Sequence, residues 1–300
     1  MNDKTESMKL LHNPSLKVEW NSFFRFSIAF YCILSLFSFW EDIPRILLQN
    51  DLVSDTSRVS VLSSLHSYLA KYGFPLLFDD FVYLVIYAYL FMLGLLCLGA
   101  FTRISALFAF LFSLIITKSI NGALYEPNYF ATLVLFYCII FPRGKFSMDY
   151  YIKEFEINKT LLKWSLYLLQ AHLCFIYLFS GIGKSLNIDW QNLSALSVNN
   201  FEIQIPLSSL ILPDFLYTGI GLFVIIVEIF YPVFINYSKT RKLWLIITII
   251  LHIFIIGFTR FYFFGVLMII LNLSAYYIPF LKNNDLDPDL DEESEEQLAY

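Results

Sequence analysis

The chain has 300 residues, of which 58% are hydrophobic and only 15% are charged, well below the roughly 25% charged residues of a soluble domain. A soluble fold of this length cannot bury so much apolar surface, so the composition excludes a soluble globular protein and predicts an integral membrane protein with lipid as its solvent. The net charge of -5 comes from eight acidic residues between Asp285 and Glu296, and the remainder of the chain is mildly basic.

Eight apolar segments are long enough, or nearly so, to cross about 30 Å of hydrocarbon as helices. The fourth segment is short, and the last two are separated only by Arg260 and its neighbours, which indicates a tight hairpin. The sequence therefore predicts an all-α integral membrane protein with about eight transmembrane helices. These predicted spans are residues 22–40, 81–100, 103–120, 127–142, 161–184, 213–236, 242–259 and 261–281.

Polar or mixed segments flank and interrupt the spans. We expect residues 1–20 to form a cytoplasmic N-terminal segment, residues 21–282 the transmembrane domain, and residues 283–300 an acidic, disordered tail, because the tail has almost no apolar residues. Two long external loops, 41–80 and 189–212, mix apolar positions with polar ones. We expect amphipathic helices there that lie in the membrane interface and cover the outer ends of the bundle.

The distribution of lysine and arginine predicts the orientation. If both termini are cytoplasmic, thirteen of these residues lie on the inner side and six on the outer side, with Arg25 near the inner end of the first span. Such a bias is typical of multi-pass proteins of the plasma membrane. This orientation places Lys184 at the outer face.

Ionisable residues within apolar spans are costly and often functional. Lys184 ends the fifth span, where it is either an anchor that reaches water or an amine that loses its proton in an apolar pocket and becomes a base. His252 is either a structural hydrogen-bonding residue, a proton relay or a residue that contacts substrate. Glu228 is expected to pair with a cation or to be neutral, and Arg25 either reaches the cytoplasmic surface or is the counter-ion of Glu228.

Several kinds of site are excluded by what the sequence lacks. The four cysteines all lie in apolar spans, and their spacing indicates neither a metal site nor a disulfide framework. No nucleotide-binding glycine loop, zinc-protease motif or hydrolase serine motif occurs. No basic stripe indicates a nucleic acid as partner. We expect no bound metal ion. We expect the lipid bilayer to be the main environment of the chain.

The segment Tyr177-x-x-Ser180-Gly181-x-x-Lys184, followed by Asp189-Trp190, resembles the HTTM (horizontally transferred transmembrane) domain, the membrane part of vitamin K-dependent gamma-carboxylases. The similarity spans most of residues 20–281. Further similar positions are Phe24-Arg25-Phe26, Arg103-Ile104-Ser105, Glu228 and His252.

The resemblance implies an enzyme in which Lys184 is the base that deprotonates a reduced naphthoquinone, vitamin K hydroquinone or menaquinol. His252 would be a second catalytic residue. With O2 and CO2, oxygenation of the quinone would produce a strong base that takes a proton from an exported, secreted peptide. An uncharged lysine in this role predicts that Lys184→Arg is as inactive as Lys184→Ala. The residues implied to bind the substrate or quinone are Tyr177, Ser180, Gly181, Trp190, Glu228 and Arg25.

The chain also differs from the carboxylases. The histidine that they carry after the third helix is missing from the stretch Tyr125 to Tyr129, and we expect no large luminal domain. The size is similar to a second, bacterial branch of the family, which includes the membrane protein needed to mature the sporulation-delaying peptide toxin of bacilli. The alternative function is therefore a non-catalytic membrane partner, acting with other membrane proteins in peptide-toxin maturation, export or immunity.

Overall fold

The structure is a computed structural model that describes residues 20–41, 47, 61–73, 76–119, 126–155, 158–187, 214–259 and 261–281. Within these ranges the regular elements are all helices and no strand occurs, which confirms the all-α class. The predicted N-terminal segment, the acidic tail, the loop 189–212 and Trp190 lie outside the described residues.

The helices are numbered here in chain order. They are α1 (Trp20–Ser38), α2 (Val61–Lys71), α3 (Phe78–Leu98), α4 (Thr102–Ser119), α5 (Glu126–Ile140), α6 (Met148–Ile152), α7 (Lys159–Leu186), α8 (Asp214–Asn236), α9 (Ser238–Thr259), α10 (Tyr262–Asn272) and, after a π-helical turn (Leu273–Tyr277), α11 (Ile278–Leu281).

Six of these helices contain stretches long and apolar enough to cross a membrane, namely α1, α3, α4, α7, α8 and α9. The fourth and eighth predicted spans correspond to shorter apolar helical stretches, Tyr129–Ile140 and Tyr262–Tyr277. The chain is therefore a multi-pass membrane protein by helix length and composition. The count of eight spans stays a prediction.

Apolar side chains both fill the centre of the bundle and cover its outside. Phe24 of α1, Leu93 of α3 and Leu135 of α5 are fully buried together. On the outer surface, Phe91 is 61% exposed and Ile250 is 60% exposed. Lipid-facing positions of this kind carry no penalty in hydrocarbon, whereas an apolar surface of this extent on a soluble protein would promote aggregation.

Arg25 fixes the end of the bundle where α3 finishes. Its guanidinium donates from Nη1 to the carbonyl of Leu96 at 3.2 Å and from Nη2 to the carbonyl of Phe146 at 2.6 Å. Leu96 lies in the last turn of α3, whose carbonyls have no partner within the helix. Gly99 then ends α3 with a φ of 71°, and a side chain there would collide with the Arg25 guanidinium.

A carboxylate of α6 connects that short helix to the beginning of α4. Asp149 accepts hydrogen bonds from the backbone N–H groups of Phe101, at 2.7 Å, and Thr102, at 2.9 Å, where α4 begins. Burial raises the pKa of the Asp149 carboxyl, but these hydrogen bonds and the nearby Arg143 outweigh burial and leave the pKa below its usual value. Asp149 therefore caps α4 as an anion.

The predicted helical spacing in the loop 41–80 is confirmed by α2. Leu62 is buried, and its backbone N–H donates to Ser119 Oγ at the end of α4, at 3.0 Å. The rings of Tyr68 and Tyr72 are exposed and contact each other, with centroids 4.8 Å apart and an angle of 50° between their planes. The helix has an apolar anchor and an exposed aromatic side, as an interfacial helix requires, and its place in the interface stays a prediction.

The long helix α7 ends partway along its neighbour α8. The two helices are antiparallel, since Cys174 of α7 contacts Asn236 of α8 and Gly181 lies against Glu228 and Ile229. From Glu228, α8 continues toward its beginning at Asp214 for about 21 Å at 1.5 Å per residue. Lys184, in the last turn of α7, therefore lies against α8 partway along that helix, and its position at the outer face stays a prediction.

Candidate functional site

Lys184 and Glu228 form an ion pair between α7 and α8. Lys184 Nζ lies 2.7 Å from each oxygen of the Glu228 carboxylate and 2.6 Å from Ser180 Oγ. Ser180 is one helical turn before Lys184, so α7 presents the hydroxyl and the amine on one face. The side chain of Lys184 is 23% exposed and that of Glu228 only 7%. The contact confirms the expectation that Glu228 pairs with a cation.

Gly181 allows the two helices to approach closely enough for this pair. A Cβ at Gly181 would lie 2.9 Å from the backbone nitrogen of Ile229 and 3.0 Å from the Cβ of Glu228, which is closer than such contacts normally are. The glycine implied to be a binding residue by the resemblance therefore has a structural role in placing Glu228 opposite Lys184.

The ion pair changes the interpretation of Lys184. The sequence leaves a choice between an anchor that reaches water and an unprotonated amine in an apolar pocket. The amine of Lys184 lies 2.7 Å from the carboxyl group of Glu228 on the neighbouring helix, a distance typical of a charge-assisted hydrogen bond. The sequence does not show that the polar groups of these two separate spans meet, and the choice between the two roles of Lys184 stays a prediction.

A second polar cluster joins four helices. The hydroxyl of Tyr177 (α7) lies 2.7 Å from Nε2 of His252 (α9), and Nδ2 of Asn272 (α10) donates to the same hydroxyl at 2.8 Å. The hydroxyl of Tyr231 (α8) donates to Oδ1 of Asn272 at 2.7 Å. The rings of Tyr177 and Tyr231 stack with centroids 3.9 Å apart. The interhelical hydrogen bond predicted as one role of His252 is present.

The two clusters are adjacent along both helices that they share. On α7, Tyr177, Ser180 and Lys184 follow each other at spacings of three and four residues, and on α8 Glu228 and Tyr231 are three residues apart. Such spacings place side chains on one helical face, about one turn apart. The bundle thus contains a continuous polar layer between α7, α8, α9 and α10.

Arg25 does not belong to this layer. It is 5% exposed and donates to the carbonyls of Leu96 and Phe146, so it neither reaches the cytoplasmic surface nor pairs with Glu228. Both interpretations of Arg25 are wrong because the end of α3 offers carbonyl acceptors that the sequence pattern does not reveal. His172 also lies apart, with its Nδ1 2.8 Å from the hydroxyl of Tyr137.

The sequence analysis missed Asn272 and Tyr231. Both are uncharged, and a search for ionisable residues within spans passes over an amide and a phenol. The available signal was Asn272 itself, since an amide in an apolar run needs hydrogen-bonding partners as much as a charge does.

The polar layer brings together groups that can donate or accept hydrogen bonds and protons. It combines an amine, a carboxyl group, an aliphatic hydroxyl, two phenols and an imidazole. Among the residues that the structure describes, no group of three His, Cys, Asp or Glu could hold a metal ion. Comparison of the chain with protein-family models, curated proteins and solved structures finds no match.

Proposed function

We propose that this chain is an HTTM-type membrane enzyme, similar to the membrane domain of vitamin K-dependent gamma-carboxylases, that takes a proton from a reduced naphthoquinone and thereby modifies an exported peptide. The observation that carries the proposal is the Lys184–Glu228 ion pair, placed partway along the bundle beside hydroxyl and imidazole groups. The resemblance of the segment that contains Lys184 to the carboxylases supports the same assignment.

Stability alone is a weak reason for such a pair. Removing two charges from water costs several kcal/mol per ion, and their attraction offsets this cost only in good geometry. An apolar pair of similar volume is often as stable, so an ion pair between membrane helices is a candidate for function by default.

Glu228 and Lys184 have different roles in the proposed reaction. Glu228 is the proton acceptor, because one carboxylate oxygen can take the proton of a substrate hydroxyl while the O–H bond breaks. Lys184, as an ammonium, stabilises the negative charge left on the substrate oxygen, and Ser180 holds Nζ in place. A bound reduced naphthoquinone, with O2 and CO2, would supply the hydroxyl and the oxidative chemistry.

This division differs from the uncharged lysine that the resemblance implies, and the difference is measurable. An uncharged base cannot be replaced by arginine, whereas a charge-stabilising ammonium can be replaced in part. We expect Lys184→Arg to retain measurable activity, Lys184→Ala to lose at least about 100-fold, and Glu228→Gln to lose about as much as Lys184→Ala.

The assay is menaquinol-dependent oxygen consumption and epoxide formation by the purified full-length protein in nanodiscs. Lys163→Ala is the matched control, since Lys163 lies near the beginning of the same helix, where its Nζ is 5.7 Å from the ring centroid of Tyr167. Normal turnover in Glu228→Gln contradicts the proposed role of the carboxylate. Equal inactivity of Lys184→Arg and Lys184→Ala would instead support Lys184 as an uncharged base.

The alternative is a non-catalytic membrane partner in peptide-toxin maturation, export or immunity. It predicts no menaquinol turnover by a folded wild-type protein, even with the candidate peptide added. In that case Lys184→Ala would leave peptide maturation in cells unchanged, while changes in α2 would abolish it.

We place the protein in the plasma membrane with both termini cytoplasmic, on the distribution of lysine and arginine.

A further inference from the structure

The direction of the hydrogen bonds in the second cluster begins with the amide of Asn272. One terminal atom of this amide lies 2.8 Å from the backbone carbonyl of Met268. A carbonyl oxygen can only accept, so this atom is the nitrogen Nδ2. The other terminal atom is therefore Oδ1, and the hydroxyl of Tyr231 must donate to it.

The same amide orients the hydroxyl of Tyr177. Asn272 Nδ2 has two hydrogens, one directed to Met268 and one to the Tyr177 oxygen. With its oxygen accepting from Asn272, Tyr177 has its own hydrogen available for His252 Nε2, 2.7 Å away. Nε2 is then an acceptor, and a neutral imidazole with a bare Nε2 carries its hydrogen on Nδ1.

The opposite tautomer satisfies fewer groups. If Nε2 carried the hydrogen, the Tyr177 oxygen would accept twice, and the phenolic hydrogen would have no acceptor among the described residues. The bare Nδ1 would also lack a donor, because no hydrogen-bond partner contacts this atom. Buried polar groups without partners are rare, so the network favours the tautomer that leaves one such group over the one that leaves two.

The remaining group is the Nδ1–H of His252. The residue is 2% exposed, and Nδ1 has no hydrogen-bond partner among the residues that the structure describes. Its Nε2 side is fixed by Tyr177, so the ring cannot rotate to satisfy Nδ1 without losing the 2.7 Å contact. The protein therefore holds a buried N–H donor in a fixed position. Its partner Tyr177 lies on α7, about one helical turn from Ser180 and two turns from Lys184.

We infer that His252 is a hydrogen-bond donor and not a proton acceptor, and that its Nδ1–H binds an oxygen atom of the substrate. The chemical class of the ligand is an aromatic keto or phenolic compound, and this identity rests on the proposed function. The assignment of the His252 tautomer does not rest on the proposed function. Tyr177, Asn272 and Tyr231 are positioning residues, since they fix the imidazole without contacting the substrate oxygen.

The tautomer is tested without any substrate. Protein with 15N-labelled histidine is placed in nanodiscs, and 15N NMR shows which ring nitrogen of His252 carries hydrogen; the His252→Gln variant identifies the signal among the four histidines. We expect hydrogen on Nδ1. In Tyr177→Phe, which keeps the ring stacked on Tyr231, we expect a mixture of tautomers. Hydrogen on Nε2 in the wild type overturns the inference.

A matched control removes an equivalent hydroxyl from another histidine. Tyr137→Phe breaks the 2.8 Å contact with His172 and is expected to leave the His252 signal unchanged. A change in the His252 signal that is as large in Tyr137→Phe as in Tyr177→Phe would mean that the whole bundle becomes less ordered. It would overturn the inference that Tyr177 fixes the tautomer of His252.

The ligand is tested by binding of oxidised menaquinone, which requires no turnover. We expect saturating menaquinone to shift the Nδ1–H signal of His252. We expect His252→Gln, which keeps an acceptor for Tyr177 but has no N–H at the position of Nδ1, to raise the Kd about tenfold. His252→Asn places an amide N–H near the Nδ1 position and is expected to bind more tightly than the glutamine variant.

Menaquinone binding with an unchanged Nδ1–H signal and an unchanged Kd in His252→Gln overturns the inference and identifies water as the partner of Nδ1–H. Lack of menaquinol turnover in a protein that binds menaquinone through His252 would contradict only the proposed enzyme function. The two failures are thus distinguishable.

Discussion

Breaking the Lys184–Glu228 pair from one side is expected to cost much more stability than replacing both residues. Lys184→Met leaves the carboxylate of Glu228, 7% exposed, without its counter-ion, and we expect a loss of about 3–5 kcal/mol. Glu228→Leu leaves the ammonium of Lys184, which is 23% exposed and can regain some water, so we expect a loss of about 1–3 kcal/mol.

The double variant, Lys184→Met with Glu228→Leu, leaves no unpaired charge and is expected to lie within about 1 kcal/mol of the wild type. The assay is equilibrium unfolding of the purified protein in mixed micelles, with Lys163→Met on the exposed part of α7 as control. Additive losses, with the double variant less stable than either single one, would refute the ion pair as the element that couples α7 to α8.

Three further predictions concern the residues that hold the helices in place. Gly181→Ala is expected to destabilise the protein by about 1–3 kcal/mol, because the added Cβ would collide with Ile229. Gly183→Ala has open space around the added Cβ and is expected to be neutral or stabilising by up to about 1 kcal/mol. Equal unfolding free energies of the two variants would contradict the close contact at Gly181. Arg25→Lys is expected to cost about 2–3 kcal/mol, because one ammonium cannot reproduce a fork that bonds two carbonyls, and a thermal unfolding curve like that of the wild type would contradict this role. The folded-state pKa of Asp149 lies below its usual value. The Asp149 carboxylate therefore stabilises the fold at a pH above the usual value, and this stabilisation is lost as the pH falls through the folded-state pKa. Asp149→Asn should remove this part of the loss of stability in acid when the unfolding free energy is measured against pH, and unchanged acid sensitivity of the variant would contradict the role of Asp149.

The helices were largely predictable because long apolar runs are a strong signal. The predicted span 161–184 corresponds to α7, Lys159–Leu186, and the span 242–259 to α9, Ser238–Thr259. The hairpin between α9 and α10 follows from the few polar residues around Arg260. The helical spacing in the loop 41–80 likewise predicted α2, because its apolar positions recur every three to four residues.

The relative depth of the helices was not predictable from apolar runs. Hydropathy gives the length of each span, but the position of one helix along another depends on local contacts such as the close approach at Gly181. The end of α7 partway along α8 is a consequence of such contacts. For this reason the contact between Lys184 and Glu228 was not predicted from the sequence.

The pairing of charges was equally beyond the sequence. Arg25 and Lys184 were both cations that could have met Glu228, and the choice depends on which helices are neighbours. Arg25 lies on α1 and bonds to the end of α3, whereas Lys184 lies on α7 beside α8. The orientation of His252 depends on an amide and two phenols from three other helices, and a list of ionisable residues contains none of these partners.

The central claim, that Glu228 takes the proton of a reduced naphthoquinone beside the Lys184 ammonium, is tested most directly by infrared difference spectroscopy of the protein in nanodiscs on addition of menaquinol. The account predicts a new absorption band of a protonated carboxyl group in the wild type, shifted by 13C-labelled glutamate and absent from Glu228→Gln. Menaquinol that binds without this band, or a band that persists in Glu228→Gln, would contradict the account.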